Sequence, residues 1–378
     1  PDIYVPHSVQ IYRITKADTS NQTDFYSFAE NNYSLLYVTP ELNVDKAVCT
    51  SNMFAYCPSL GKFNSNYTYS GVVSANFMFY YDYSLVSLSN NITFDGLKYA
   101  DYMFEGCHVL SGLPNSFAPN KLISVVSMFE NCSAITSFDN TNWTSVNDIT
   151  DAQGMFYGMT QLDHTRKDWK FTGVTNASSM FNSCSALTSI YNATFDSVTS
   201  ANYMFNACYS LSGFNDTVAF SKVENATSMF GGCTSLISLG NGNNMEKIIT
   251  ASYMFYNCSA LTGDVVINMA QTTSLMDMFY NCNSLESFKI SNLGYSGLTN
   301  SYIDFRTCYK YSDKMVDSMV YMMNNVQDRT GLKEFDIYIL QALYDRLKAS
   351  SYYTGTDTQY ATFRNVMDEK NNYAVKVV

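Results

Sequence analysis

The chain is poor in charge. Asp, Glu, Lys and Arg make up 15% of its 378 residues, where an ordinary soluble domain carries roughly 25%. The little charge present leans acidic, 33 Asp and Glu against 22 Lys and Arg, for a formal net charge of −11. That sign excludes nucleic-acid binding through the net field. No apolar run of 18 residues occurs, so no segment reads as a membrane-spanning helix. No basic region followed by an apolar one opens the chain, and its start at Pro1 predicts a processed product or a fragment whose targeting signal is out of view. The signatures of catalysis and metal binding are missing too. There is no Cys-x-x-Cys pair, Gly-x-Ser-x-Gly elbow, Gly-Lys-Ser/Thr loop or His-Glu-x-x-His helix. The three histidines, His7, His108 and His164, stand far apart, and Gly240 and Gly242 sit in an Asn-rich turn without a phosphate-binding context. The sequence therefore predicts no enzyme, no metal and no cofactor.

Aromatics fill the gap left by charge: 31 Tyr, 25 Phe and 2 Trp. With 46% hydrophobic residues the chain can bury a large core, which excludes disorder. Much of this apolar content is one phrase repeated. Met-Phe occurs with its Met at 53, 78, 103, 128, 155, 180, 204, 229, 254 and 278, at spacings of 25, 25, 25, 27, 25, 24, 25, 25 and 24. A degenerate copy stands at Asp304-Phe305, and a first one is expected at Ser27-Phe28.

Within a unit the apolar positions fall every third residue, as in Phe195, Val198, Ala201, Met204 and then Cys208, Leu211, Phe214. Neither the 3.6 period of a helix nor the 2 of a strand explains this. It fits a chain winding in short arcs around a shared core, where stacked coils bury what one coil cannot. Asn176 to Cys184 reads as a short helical or 3₁₀ arc, and Ala186 to Tyr191 as a short strand with Leu187 and Ile190 inward, pairing in parallel with its neighbours.

The box Met254-Phe255-Tyr256-Asn257-Cys258-Ser259-Ala260-Leu261 closely resembles the BspA-type leucine-rich repeat of bacterial surface proteins, over roughly residues 25 to 311. Asp82 and Met159 depart from it at the Cys position. The resemblance implies an α/β, leucine-rich-repeat-like right-handed solenoid of 11–12 coils with short parallel strands. Residues 1–24 would form an N-terminal cap, 25–311 the solenoid and 312–378 a C-terminal α/β cap. In that cap a Met-rich helix around Met315 to Met323 would lead through Asp328-Arg329-Thr330-Gly331 to a strand at Phe335 to Leu340, two helices and a last strand at Tyr373 to Val378. It also implies display outside the cell or on its surface and non-catalytic binding of protein or glycan on a cell surface. Similar repeats in phage particles make a virion tail or fibre component, packed against other virion proteins, the alternative.

Nine of the ten cysteines fall three residues after a repeat Phe: Cys57, Cys107, Cys132, Cys184, Cys208, Cys233, Cys258, Cys282 and Cys308. One thiol per coil at one inward position reads as a buried ladder of small hydrophobes rather than a disulfide framework. His108 would then point away from Cys107, which rules against a catalytic pair.

Three features are candidates for binding. The slot after Met-Phe holds Tyr80, Tyr157, Tyr256 and Tyr280, with Tyr81 and Tyr83 nearby. These rings either face solvent as a broken column able to stack on a ligand or pack between coils. The charged segment Asp163 to Trp169, coincident with the 27-residue spacing, is either a solvated loop or a protrusion offering His164, Arg166 and Trp169. Finally, Ser or Gly stands two residues after most repeat Leu positions, as at Ser87, Gly112, Ser189 and Gly263, marking a close backbone approach or a flat docking face.

Overall fold

The computed structural model describes residues 13–14, 19–38, 40–65, 67–191, 193–214, 218–240, 244–263, 265–299, 302–329, 332–350 and 373–378. His7, Gly242 and most of the expected N-terminal cap lie outside them. The chain divides into two compact units, Pro1–Ser197 and Val198–Val378.

Each unit is a leucine-rich-repeat-like solenoid, and the same backbone pattern builds both. Around the boxes at Met53, Met78, Met103, Met128 and Met155 in the first unit and Met204, Met229 and Met254 in the second, every second N–H leaves its own coil for the next one. In the first unit the N–H groups of Thr50, Asn52, Phe54 and Tyr56 donate to the carbonyls of Ser74, Asn76, Met78 and Tyr80, at 2.7–2.9 Å. In the second, Tyr203, Phe205 and Ala207 donate to Thr227, Met229 and Gly231 at 2.7–2.8 Å. Several of the intervening N–H groups close tight turns within the coil, as Met53 to Thr50 at 3.2 Å and Ala55 to Asn52 at 3.1 Å.

This is not the helical arc expected from Asn176 to Cys184. Two residues per box are left-handed, one before the Met and one before the Cys, as Ser179 (φ 57°) and Ser183 (φ 63°) show. The positive φ values break any helix and turn alternate amides outward along the stack. Among the described residues none of the left-handed non-glycine positions is Val, Ile or Thr. Branching at Cβ would crowd that conformation, so the slots fill with Asn, Ser, Gly, Tyr and other unbranched residues.

Regular strand is brief. In the first unit β1 (Arg13–Ile14), β2 (Tyr37–Val38), β3 (Lys62–Phe63) and β4 (Ser87–Leu88) form a parallel sheet in that order. In the second, β5 (Asn244–Met245), β6 (Val266–Asn268) and β7 (Lys289–Ser291) do the same. Single parallel bridges join coils elsewhere, from Asp24–Cys49 to Asp151–Asn176 and from Ser200–Asn225 to Thr250–Ser274. The Ser/Gly positions lie at this edge: Ser87 is exposed in β4 opposite Lys62. A Cβ on Gly263 would come within 2.4 Å of Ser287 Oγ, whereas at Gly112 it would meet nothing within 4 Å.

The ladder corrects one register. Ala29 N–H donates to Met53 O as Phe54 N–H does to Met78 O, and Ser27 and Asn31 take the two left-handed slots. The first box is therefore Phe28-Ala29, not Ser27-Phe28: Phe28 fills the Met position, and Ala29 stands where a repeat Phe would.

Inside, the box residues stack coil on coil. Phe79, Phe104 and Phe129 lie nearly parallel with centroids 5.5 Å apart, and Phe230, Phe255 and Phe279 repeat this at 5.4 and 5.6 Å. All ten cysteines are free thiols, and the nine in register are buried. Most of these thiols have a defined bond. Cys132 Sγ donates to Phe104 O at 3.0 Å, and that carbonyl also accepts Cys107 N–H at 3.0 Å. Cys107, Cys184, Cys233, Cys258 and Cys282 reach back to the preceding repeat Phe in the same way, at 3.0–3.1 Å. The thiol thus fills a core corner and satisfies a carbonyl at once.

The terminal elements of the second unit extend the ladder. β8 (Tyr302–Asp304) pairs with β9 (Phe335–Ile339), which pairs with β10 (Tyr373–Val377), all parallel. Phe305 N–H donates to Tyr338 O of β9 at 2.9 Å, where a repeat Phe would have met the next Met. Helix α1 (Asp313–Asn324), capped by Ser312, buries Met315, Met319, Met322 and Met323 and packs against β7. Helix α2 (Gln341–Ala349) follows β9; the second helix expected before Tyr373 falls outside the described residues.

Candidate functional site

The ladder fixes the backbone and buries Met, Phe and Cys, so variation is confined to outward slots: before the Met, after the Phe, and on either side of the Cys. In the second unit the slot after the Phe reads Asn206, Gly231, Tyr256, Tyr280 on successive coils. Gly231 and Gly232 remove the side chains from one coil, and clefts open over them. One, of about 480 Å³, is lined by Asn206, Tyr209, Gly232, Tyr256, Asn257, Asn281 and Asn283 among others. The adjoining one, of about 490 Å³, shares Asn206, Gly231 and Tyr256 and adds Ser228, Tyr253, Asp277 and Tyr280.

Tyr256 and Tyr280 form the wall. Their rings stack at 5.2 Å and 11°, and Tyr253 meets Tyr256 edge-on at 5.9 Å. Tyr280 is 36% exposed. Asn281 Nδ2 donates to Asn257 Oδ1 at 2.8 Å, which orients both amides. Burial, with Asp304 nearby, raises the Asp277 carboxyl above its usual range against the opposing effect of Arg306. The result is a cleft of ring faces and amide groups with one carboxyl on its wall. The Gly231-Gly232 pair inside a box was the sequence signal for it, where other coils carry larger side chains.

In the first unit the same slot holds Tyr80, Glu105, Glu130 and Tyr157, so Tyr80 and Tyr157 are not neighbours. Tyr80 is half-buried in a ring cluster, edge-on to Tyr56 at 5.2 Å and to Tyr81 at 4.4 Å; Tyr157 is also half-buried.

Asp163 to Trp169 forms no protrusion, and two of its three candidate contacts are turned away from solvent. Trp169 is fully buried, edge-to-face with Trp143 at 4.9 Å, and its indole N–H donates to Trp143 O at 2.8 Å. It occupies the inward apolar column and is no surface contact. The Arg166 side chain is 12% exposed. Its Nη1 donates to the carbonyls of Phe138, Asp139 and Thr141 at 3.0, 3.0 and 2.7 Å, while Nε and Nη2 grip Asp168. Bridge partners are 25 residues apart at Tyr99–Ser124 and Asp151–Asn176 but 27 apart at Ser124–Asp151. The two additional residues therefore precede the charged segment, and Arg166 ties down carbonyls in that lengthened coil. His164 is held by Asp139 at 2.8 Å through Nε2 and by Asp163 through Nδ1. His108 is exposed while Cys107 is buried.

The thiols themselves are chemically quiet. Burial pushes Cys233 up to about 12 and raises Cys57, Cys107, Cys132, Cys184, Cys258, Cys282 and Cys308 as well. A nucleophile needs the opposite shift.

A family profile described as "Mycoplasma protein of unknown function, DUF285" matches residues 6–117, 91–193, 123–241, 194–293 and 241–334. The chain belongs to the DUF285 family. These overlapping DUF285 matches run along the repeats rather than marking one domain among others. Among curated proteins nothing matches. Among solved structures this DUF285 chain is similar to one in a TLR13–ssRNA13 complex, with 15% identity and a TM-score of 0.27 over 90% of this chain and 54% of that one. It thus spans about half of that chain's length. It is also similar to a leucine-rich repeat protein from Eubacterium ventriosum, with 14% identity and a TM-score of 0.31, covering 70% of this chain and 83% of that one.

Proposed function

We propose that the protein is a non-enzymatic recognition solenoid of the BspA type, working at a cell surface, and that the cleft over Gly231-Gly232 binds a glycan. One observation carries this reading: two stacked tyrosines and a row of asparagine amides border a side-chain-free coil. Tyrosine offers a large, stiff contact face at low entropy cost, and amides supply both donors and acceptors to hydroxyl groups. The near absence of charge in the cleft fits a neutral, hydroxylated ligand better than an ionic one.

The test is a glycan array followed by calorimetry on the full chain. A neutral oligosaccharide should bind, and Tyr256→Ala and Tyr280→Ala should each weaken it about tenfold, the scale of a lost ring contact. Gly231→Phe should block the cleft from within. An array without hits, or variants that bind as the parent does, would refute the assignment.

A further inference from the structure

The first unit carries a second surface of different chemistry, independent of the cleft. It is built on the coils boxed at Met53, Met78, Met103 and Met128. Tyr56 and Tyr81 stack at 5.8 Å and 4°, and Phe77 and Tyr102 at 4.7 Å and 7°. Tyr80 stands edge-on between these pairs, 5.2 Å from Phe77 and 5.2 Å from Tyr56. Tyr83 continues the patch and stacks on His108 at 5.4 Å. Tyr56 and Tyr83 are 40% and 44% exposed, so the patch opens to solvent.

Carboxylates lie within this frame. Glu105 follows Met103-Phe104 and is 7% exposed. Tyr81 lies across Gly106, where a Cβ would stand 2.9 Å from its ring, and the Tyr81 hydroxyl and the Glu105 carboxylate act on each other. Glu130 takes the same slot on the next coil. Among the described residues no Lys, Arg or His forms an ion pair with either glutamate. The carboxylates acting on the three tyrosines add up: Glu105 on Tyr80, Tyr81 and Tyr102, joined at Tyr102 by Asp101, Glu130 and Asp151. A nearly buried carboxylate without a counter-ion is costly, and ring faces attract cations.

We propose that this face docks a lysine or arginine side chain of a partner protein, its cationic head lying on the tyrosine rings and pairing with Glu105 and Glu130. Charge complementarity selects this occupant. Among the described residues no three His, Cys, Asp or Glu side chains are grouped to hold a metal ion, and the rings offer a cation π-faces rather than the hard oxygens a metal wants. An alkylammonium or guanidinium group uses both rings and carboxylates. The exposed Tyr56 and Tyr83 give the flanking polypeptide aromatic contact beyond the charged head.

The titratable groups facing Glu105 are Glu130, the hydroxyls of Tyr80, Tyr81 and Tyr102, and the Cys132 thiol. Burial first and Glu130 second raise Glu105 to about 7. Binding should therefore weaken as pH falls from 8 to 6 and Glu105 takes up a proton.

The experiment is fluorescence anisotropy of the full chain with labelled short peptides carrying Lys, Arg or Nε-acetyl-Lys at one position. Lys and Arg peptides should bind, and acetylation should weaken binding about tenfold, the scale of one charged contact. Glu105→Gln and Tyr80→Leu should each produce a similar loss. Glu105→Gln removes a buried charge, so its thermal stability should stay level or rise while binding falls, which separates lost recognition from lost fold. Equal binding of Lys and acetyl-Lys peptides, unchanged binding by both variants, or no binding up to about 1 mM, the weak end of specific recognition, would overturn the proposal.

Discussion

Replacing Asp82 with Cys should stabilise the protein, and by more at neutral than at acid pH. Asp82 holds the thiol slot of its coil and is fully buried. Its Oδ1 accepts the Cys57 N–H at 2.7 Å, an N–H that in the other boxes goes to the repeat Phe carbonyl. Its Oδ2 is buried with no partner. Such an orphaned acceptor costs about 1–3 kcal/mol. Asp82→Cys removes it and, by the pattern of Cys107 and Cys132, places a thiol opposite the Phe54 carbonyl. At roughly 2–4 °C per kcal/mol for a unit of this size, the midpoint should rise by about 2–12 °C. The pH dependence follows from burial, which lifts the Asp82 carboxyl well above its usual range. Below the unfolded value near 3.9 both states hold the proton, and the folded state bears no ionisation penalty. As pH climbs past that value the unfolded chain releases its proton first, so the parent loses stability until the folded pKa is passed. Urea melts of parent, Asp82→Cys and Asp82→Asn at pH 4 and pH 7, with reductant, read the difference directly. A destabilised Asp82→Cys, or a gain equal at both pH values, would refute this account of the slot.

Two further outcomes test the same ladder. At pH 8 a thiol reagent should label about one site quickly in the native chain, the half-buried Cys49, and all ten once the chain is denatured. Several fast native thiols, or far fewer than ten in denaturant, would break the buried-ladder picture. Arg166→Ala strips the Asp139 and Thr141 carbonyls of a donor and takes one of several from Phe138 O, which keeps the Thr141 N–H and hydroxyl, and should cost about 2–3 kcal/mol. Hydrogen exchange should quicken around 138–170, and Arg166→Lys should fail to restore it, because an ammonium lacks the planar fork. Unchanged exchange in that stretch would show the contacts carry no weight.

The period was legible because core residues repeat under one constraint, while the local conformation was not. Asn, Ser and Gly before Met or Cys suit a helix cap as well as a left-handed turn, so Asn176 to Cys184 read as an arc. The deciding signal was an absence: no Val, Ile or Thr at those two slots in the ten Met-Phe boxes. Phe28 misled for a related reason, since an aromatic fits the Met position when Ala29 yields the space. The charged neighbours of Trp169 mask its inward place. Its place in the column Trp143, Trp169, Phe195, Phe220, at spacings of 26, 26 and 25, pointed inward. The cleft is hard to read from sequence because it is made by missing side chains, at Gly231-Gly232, rather than by large contact residues.

Cysteine at the corner of most boxes also explains why the outward surface can vary so freely. The repeat Phe carbonyl turns inward, away from water, and one amide from its own coil leaves a lone pair open. The Cys of the following coil donates to it, so neither carbonyl nor thiol needs a surface group. Met159 cannot donate, so the Phe129 carbonyl keeps the Cys132 N–H without a thiol, while Arg166 serves other carbonyls of that coil, those of Phe138, Asp139 and Thr141. With the backbone closed from inside, an outward residue answers mainly to the left-handed geometry of its slot. Different coils can then carry Gly231, Glu105 or Tyr256 at equivalent positions with the backbone ladder unchanged, which is how one repeated phrase makes both a neutral cleft and an acidic aromatic patch.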